Sequence, residues 1–95
     1  MRLEKGLHLL HLAQQVKLMK KENVDKGDTW NDAHIFDLYE FAMLEMAEVA
    51  YALHQYQSTE SGSEDEKKAK HDLILECADV ANFLAMICEN IDSRG

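Results

Sequence analysis

The sequence predicts an all-α protein that folds as one domain, 1–95. It has no proline and only 4 glycines, so little in the composition interrupts long helices. Apolar residues recur at helical spacing in three segments that polar stretches separate. From this pattern we expect an N-terminal helix and an antiparallel helical hairpin, which oligomerisation completes as a four-helix-type bundle.

The first predicted helix covers 1–22 and is amphipathic. Lys17 and Lys20 fall in its last turn, where cations suit the negative end of the helix dipole. These lysines have two interpretations: solvated residues at the helix end, or ligands for the phosphates of a substrate. A loop is predicted at 23–29, because turn-forming residues cluster around Gly27.

The second predicted helix covers 30–57 and is apolar on more than one face, which is typical of a buried helix. In so small a chain only another subunit can cover the face that the other helices leave open, so we expect a homodimer or homotetramer. Trp30 stands at the start of this helix and has two interpretations. Its ring either closes the end of the bundle or forms a wall on which a nucleobase stacks.

The third predicted helix covers 64–92 and follows a polar, acidic linker at 58–63. Ser63 and Glu66 form a capping-box pattern, in which the serine and the glutamate satisfy free N–H groups at a helix start. Because the linker is short, the second and third helices are predicted to form an antiparallel hairpin.

Four carboxylates stand within the most apolar parts of the hairpin: Glu45, Glu48, Glu76 and Asp79. In each helix the two acids are three residues apart and so share one face. Unpaired charge is costly near a core, so we expect a positive ligand between them. Oxygen ligands without histidine or thiolate favour Mg²⁺, with Mn²⁺ as a substitute.

The register of the hairpin places these acids at one level. Glu45 and Glu48 precede Gly62 by 17 and 14 residues, and Glu76 and Asp79 follow it by 14 and 17. An antiparallel arrangement around this glycine therefore brings the two pairs opposite each other.

The alternative for the four acids is a pair of ordinary surface salt bridges. The second helix offers no partner for them, since no lysine or arginine lies between Lys26 and Lys67. Asn82, one turn beyond Asp79, is interpreted either as a substrate-binding residue or as a hydrogen-bond partner across the bundle.

The formal net charge of −8 argues against binding of a nucleic acid polymer, which needs a basic surface. A single nucleotide remains compatible, because bound divalent cations reverse the local field. Cys77 and Cys88 would lie about 16 Å apart along one helix, too far for a disulfide. We find neither a signal peptide pattern nor a membrane-length apolar stretch, so we expect a cytoplasmic protein without membrane contact.

The acid pattern resembles the MazG-like members of the all-α nucleoside triphosphate pyrophosphohydrolase superfamily. Their signature, Glu-x-x-Glu followed after an insertion by Glu-x-x-Asp, reads here as Glu45-Met-Ala-Glu48 and Glu76-Cys-Ala-Asp79. The insertion is 27 residues long. The likeness covers about two thirds of the chain, from about Trp30 to Ile91. The family often has a glutamate directly before or near the first acid pair, whereas this chain has Leu44.

The resemblance implies hydrolysis of a nucleoside triphosphate, deoxy or modified, to the monophosphate and pyrophosphate. It implies one or two Mg²⁺ ions on the four acids, of which Glu48 is the candidate general base. The alternative is a catalytically silent helical oligomer that senses nucleotides or binds partners. A ferritin-like di-iron bundle does not fit, because its Glu-x-x-His pairs are absent.

Overall fold

A computed structural model describes residues 2–20 and 34–94. Within them the chain forms three helices and no strand: α1 (Glu4–Leu18), α2 (Ile35–Gln57) and α3 (Glu64–Arg94). The prediction of an all-α fold is confirmed for this part of the chain.

Helix α1 is shorter than the predicted helix at 1–22. It begins at Glu4, and no side chain caps its start. It ends at Leu18, where the Lys20 N–H donates to the carbonyl of Lys17 at 3.3 Å. This bond spans three residues instead of four, so the chain tightens and leaves the helix.

Helix α2 begins at Ile35. The predicted loop at 23–29 and the first residues of the predicted helix, 30–33, lie outside the described residues. His34 has extended backbone angles, and its Nδ1 accepts a hydrogen bond from the Phe36 N–H at 3.2 Å. The two rings also stack, with centroids 5.6 Å apart. His34 therefore caps the helix.

The start of α3 has the predicted cap. Ser63 Oγ accepts a hydrogen bond from the Glu66 N–H at 3.0 Å, and Glu66 Oε1 accepts one from the Gly62 N–H at 3.1 Å. The glutamate thus reaches back one residue beyond the position usual in a capping box. Gly62 has a φ of 82°, a left-handed conformation that a residue without Cβ adopts readily.

Helix α3 is the centre of the fold, since both α1 and α2 pack against it. Within 2–20 and 34–94 the buried apolar residues are mainly small, which lets the backbones approach closely: Ala13, Leu38, Ala42, Ala52, Ala69 and Ala78. Phe41 and Phe83 add a tilted aromatic contact between α2 and α3, with ring centroids 5.8 Å apart. The core that the described residues form is therefore thin.

Large apolar side chains remain exposed along α2. Leu44 is 66% exposed and Phe36 67%, and Met43, Met46 and Tyr51 are each more than half exposed. The sequence predicts that α2 is a buried helix, but much of its apolar surface is exposed within one chain. Clusters of exposed apolar side chains often mark surfaces that another protein covers.

Cys77 and Cys88 are free thiols, as their spacing predicts. Burial raises the pKa of Cys77, and the charge of Glu76 raises it further, so this thiol is a poor nucleophile. None of the helices in the described residues is long and apolar enough to cross a membrane.

Candidate metal centre

Three carboxylates from two helices converge where α2 and α3 pack together. One oxygen each of Glu45, Glu76 and Asp79 lies within 4.8 Å of the others. Glu76 and Asp79 share a face of α3 because they are three residues apart, and α2 places Glu45 opposite them. All three side chains are partly buried. The packing of the hairpin therefore builds a small oxygen-lined group.

This group of three acids holds more negative charge than its surroundings balance. Burial raises the pKa of Glu45, and the charges of Asp79 and Glu76 raise it further. The pKa of Glu76 is likewise raised by burial and then by Asp79. The charge of Lys17 lowers both values without cancelling the rise. A divalent cation would reverse these shifts, because it favours the ionised form of its ligands.

Helix α1 contributes a cation to the group. Lys17 Nζ lies 2.9 Å from Asp79 Oδ2, and the two side chains are only 13% and 20% exposed. Burial lowers the pKa of Lys17, but the hydrogen bond and the charge of Asp79 outweigh it and raise the pKa overall. The ion pair is therefore a strong one by the standard of surface pairs.

A second polar contact fixes α1 one turn away from this ion pair. Gln14 Nε2 donates to Asn82 Oδ1 at 3.1 Å, and Asn82 Nδ2 donates to the Gln14 carbonyl at 3.5 Å. Asn82 is 8% exposed. Of the two interpretations of Asn82, the structure shows the hydrogen bond across the bundle.

An open cleft of about 1020 Å³ adjoins the acids and runs towards the linker. Glu48 and Tyr51 of α2 line it, and Glu76 forms part of its wall on α3. Lys17 and Lys20 line it from the end of α1. The cleft thus presents ammonium groups close to a carboxylate of the acidic group, an arrangement that suits a phosphorylated ligand together with a cation.

Glu48 is placed differently from the other three predicted metal ligands. Its side chain is exposed, and its oxygens are not part of the group that lies within 4.8 Å. It lies one turn further along α2 than Glu45, on the wall of the cleft. Of the two acids of α2, Glu45 therefore meets the acids of α3 and Glu48 does not.

Trp30, the proposed stacking residue, lies outside the described residues. Tyr51, which the sequence reading passed over, offers an aromatic ring on the cleft wall and is 65% exposed. Its position three residues after Glu48 was the available signal, since that spacing shares a helix face. Gln14 gave no such signal, because its partner is 68 residues away.

Comparisons with protein-family models, with curated proteins and with solved structures gave no match. The types of side chain in the acidic group therefore indicate which cation it could hold. Three carboxylates without histidine or cysteine suit a hard cation such as Mg²⁺ or Mn²⁺, whereas zinc sites usually contain nitrogen or sulfur donors. The residues present therefore fit the cation that the sequence reading expected.

Proposed function

We propose that this protein is a MazG-like pyrophosphohydrolase that cleaves nucleoside triphosphates, deoxy or modified, to the monophosphate and pyrophosphate with Mg²⁺. The observation that carries the proposal is the convergence of Glu45, Glu76 and Asp79 beside a cleft that also bears Lys17 and Lys20. Carboxylates for a cation and ammonium groups for phosphate are the two requirements of a metal-assisted phosphate hydrolase.

The acidic group would hold the cation, with one oxygen from each of its three members. When bound, Mg²⁺ would neutralise charge that develops on the phosphate oxygens. Lys17 and Lys20 would bind the triphosphate in the cleft as point charges. The negative charges of the substrate and of the three acids would then be compensated by the cation and the two lysines.

Glu48 is assigned as the general base. Its carboxylate faces the cleft and would accept a proton from the water that attacks the α-phosphorus. The new bond joins the water oxygen to the α-phosphorus, while the bond from this phosphorus to the bridging oxygen breaks. Its electron pair leaves with pyrophosphate, and the proton on Glu48 passes to solvent. The products are a nucleoside monophosphate and pyrophosphate.

The test is release of pyrophosphate from a panel of canonical and modified triphosphates with and without Mg²⁺. Glu48→Gln should lower kcat by about 10²–10⁴, the usual contribution of a general base. Glu40→Gln is the matched control, because Glu40 is an exposed acid two turns earlier on the same helix. Nucleotide binding without any release would refute the hydrolase and favour the silent nucleotide-sensing module.

The proposal includes a homodimer or homotetramer that buries the apolar face of α2. Support comes from the exposure of Leu44 and its neighbours, and from the thin core that the described part of the chain forms. A stable oligomer would complete the four-helix-type bundle by packing α2 against a second copy. The cation Mn²⁺ is expected to replace Mg²⁺ in this assembly, since both accept oxygen ligands.

Sedimentation equilibrium tests this assembly. The wild type should have two or four times the 10.9 kDa mass of one chain. Leu44→Asp should shift it towards the monomer, since a buried charge opposes association. His54→Asp is the matched control, because it adds the same charge at an exposed polar position near the end of α2. A monomeric wild type would contradict the assembly.

A further inference from the structure

We propose that Lys17 is an exchangeable cation: a divalent metal displaces its ammonium group from Asp79, and the released group then binds substrate phosphate in the cleft. This inference rests on the proposed function and adds an order of events to it. The Lys17 ammonium would pair with Asp79 in the metal-free protein and would bind substrate phosphate once the metal is bound.

The position of Lys17 is the first support. Its ammonium lies 2.9 Å from Asp79 Oδ2, on one of the three acids that converge. The pair is only 13% and 20% exposed, whereas Lys67 and Glu64, an ion pair at the start of α3, are 70% and 89% exposed. Lys17 thus holds the place of a positive ligand inside the group instead of lying on the surface around it.

Competition follows from charge. A metal ion on an Asp79 oxygen would lie within a few ångströms of the ammonium, and like charges repel strongly where water is partly excluded. The divalent ion has the stronger attraction to the three carboxylates, because it carries twice the charge. Metal binding should therefore weaken the contact between Lys17 and Asp79.

The released ammonium has a place to go. Lys17 already lines the cleft together with Lys20. Its flexible four-carbon stem lets the charge move while α1 stays in place, and the contact between Gln14 and Asn82 holds the helix one turn earlier. A triphosphate in the cleft would receive a charge that the metal has just released.

The exchange predicts opposite effects of one substitution on two ligands. Lys17→Met keeps much of the apolar stem and removes the charge. It should tighten Mn²⁺ binding roughly threefold to tenfold, because the competing ammonium is gone. With Mn²⁺ in saturating excess, it should weaken binding of inorganic tripolyphosphate by a similar factor, because a phosphate ligand is gone.

The measurements are Mn²⁺ titration followed by electron paramagnetic resonance and tripolyphosphate titration by calorimetry. Lys17→Arg, which keeps the charge, should lie closer to the wild type than Lys17→Met for both ligands. Lys67→Met is the matched control, because Lys67 is an exposed lysine paired with Glu64 and does not line the cleft. Circular dichroism establishes that each variant retains its helices.

Two results would overturn the inference in distinguishable ways. If the wild type binds Mn²⁺ and Lys17→Met binds it equally or more weakly, Lys17 is a structural contact and the exchange is wrong, while the metal centre stands. If the wild type binds no Mn²⁺, the centre itself is wrong, and the exchange is refuted with the proposed function.

Discussion

Replacing Glu76 by glutamine should stabilise the metal-free protein. Its carboxylate lies within 4.8 Å of those of Glu45 and Asp79. At that distance two unit charges repel by about 0.9 kcal/mol in water and about 3.5 kcal/mol at an effective dielectric constant of about 20. Attraction to Lys17 offsets part of this repulsion, and partial exposure favours the lower figure.

We therefore expect Glu76→Gln to raise the free energy of unfolding by about 1 kcal/mol in EDTA, which corresponds to about 4–8 °C in Tm for a chain of this size. Added Mn²⁺ should stabilise the wild type and have little effect on the variant, which lacks one ligand. Thermal unfolding followed by circular dichroism measures both effects.

Two further variants make the test specific. Asp79→Asn should give no such gain, because it also leaves the ammonium of Lys17 without this carboxylate. Glu89→Gln, an exposed acid on the same helix, should leave Tm unchanged. If Glu76→Gln lowered Tm in EDTA, repulsion within the acidic group would not be the dominant force there, and the electrostatic reasoning would be refuted.

Three further predictions concern pH and the linker. Folding raises the pKa values of Glu45 and Glu76 above the usual 4.5. Protonation of these acids therefore stabilises the fold fully below pH 4.5, and this stabilisation is lost as the pH rises through the raised pKa values. The Tm gap between wild type and Glu76→Gln should therefore shrink as the pH is lowered from neutral. Ser63→Ala should cost about 1 kcal/mol in urea unfolding by removing the cap on the Glu66 N–H. Gly62→Ala should also cost about 1 kcal/mol, measured in the same way, through its left-handed backbone alone, since an added Cβ meets nothing within 4 Å.

The hairpin was predictable because its signals are local. The capping pair Ser63 and Glu66 and the polar linker fix the start of α3, and the structure has the expected hydrogen bond there. The end of α2 at Gln57 also agrees with the prediction, whereas the start of α2 and the end of α1 have no comparable local signal. His34 is not among the preferred capping residues, and the apolar pattern continues past Leu18, where α1 ends. Helix ends without a strong capping residue depend on tertiary packing, which periodicity does not reveal.

The candidate site was predictable only in part. Spacing within each helix and equal distances from Gly62 are enough to bring acids of α2 and α3 to one level. They do not determine which of them meet, since that depends on the rotation of each helix about its axis. For this reason Glu45 joins the group and Glu48 does not. The position of α1 is beyond such reasoning, because its contacts with Asp79 and Asn82 link residues far apart in sequence.

These contacts connect the docking of α1 to the charge of the site. Among the described residues of α1 only Ala13 is buried, while Leu7 and Val16 are more than half exposed, so apolar packing holds this helix weakly within one chain. Its polar contacts with α3 include those of Gln14 with Asn82 and of Lys17 with Asp79. A ligand that changes the charge around Asp79 must therefore change the stability of the α1 contact, and by linkage the position of α1 must change the affinity for that ligand. Helix α1 therefore influences the affinity of the site for its ligand as well as the positions of the side chains that form it.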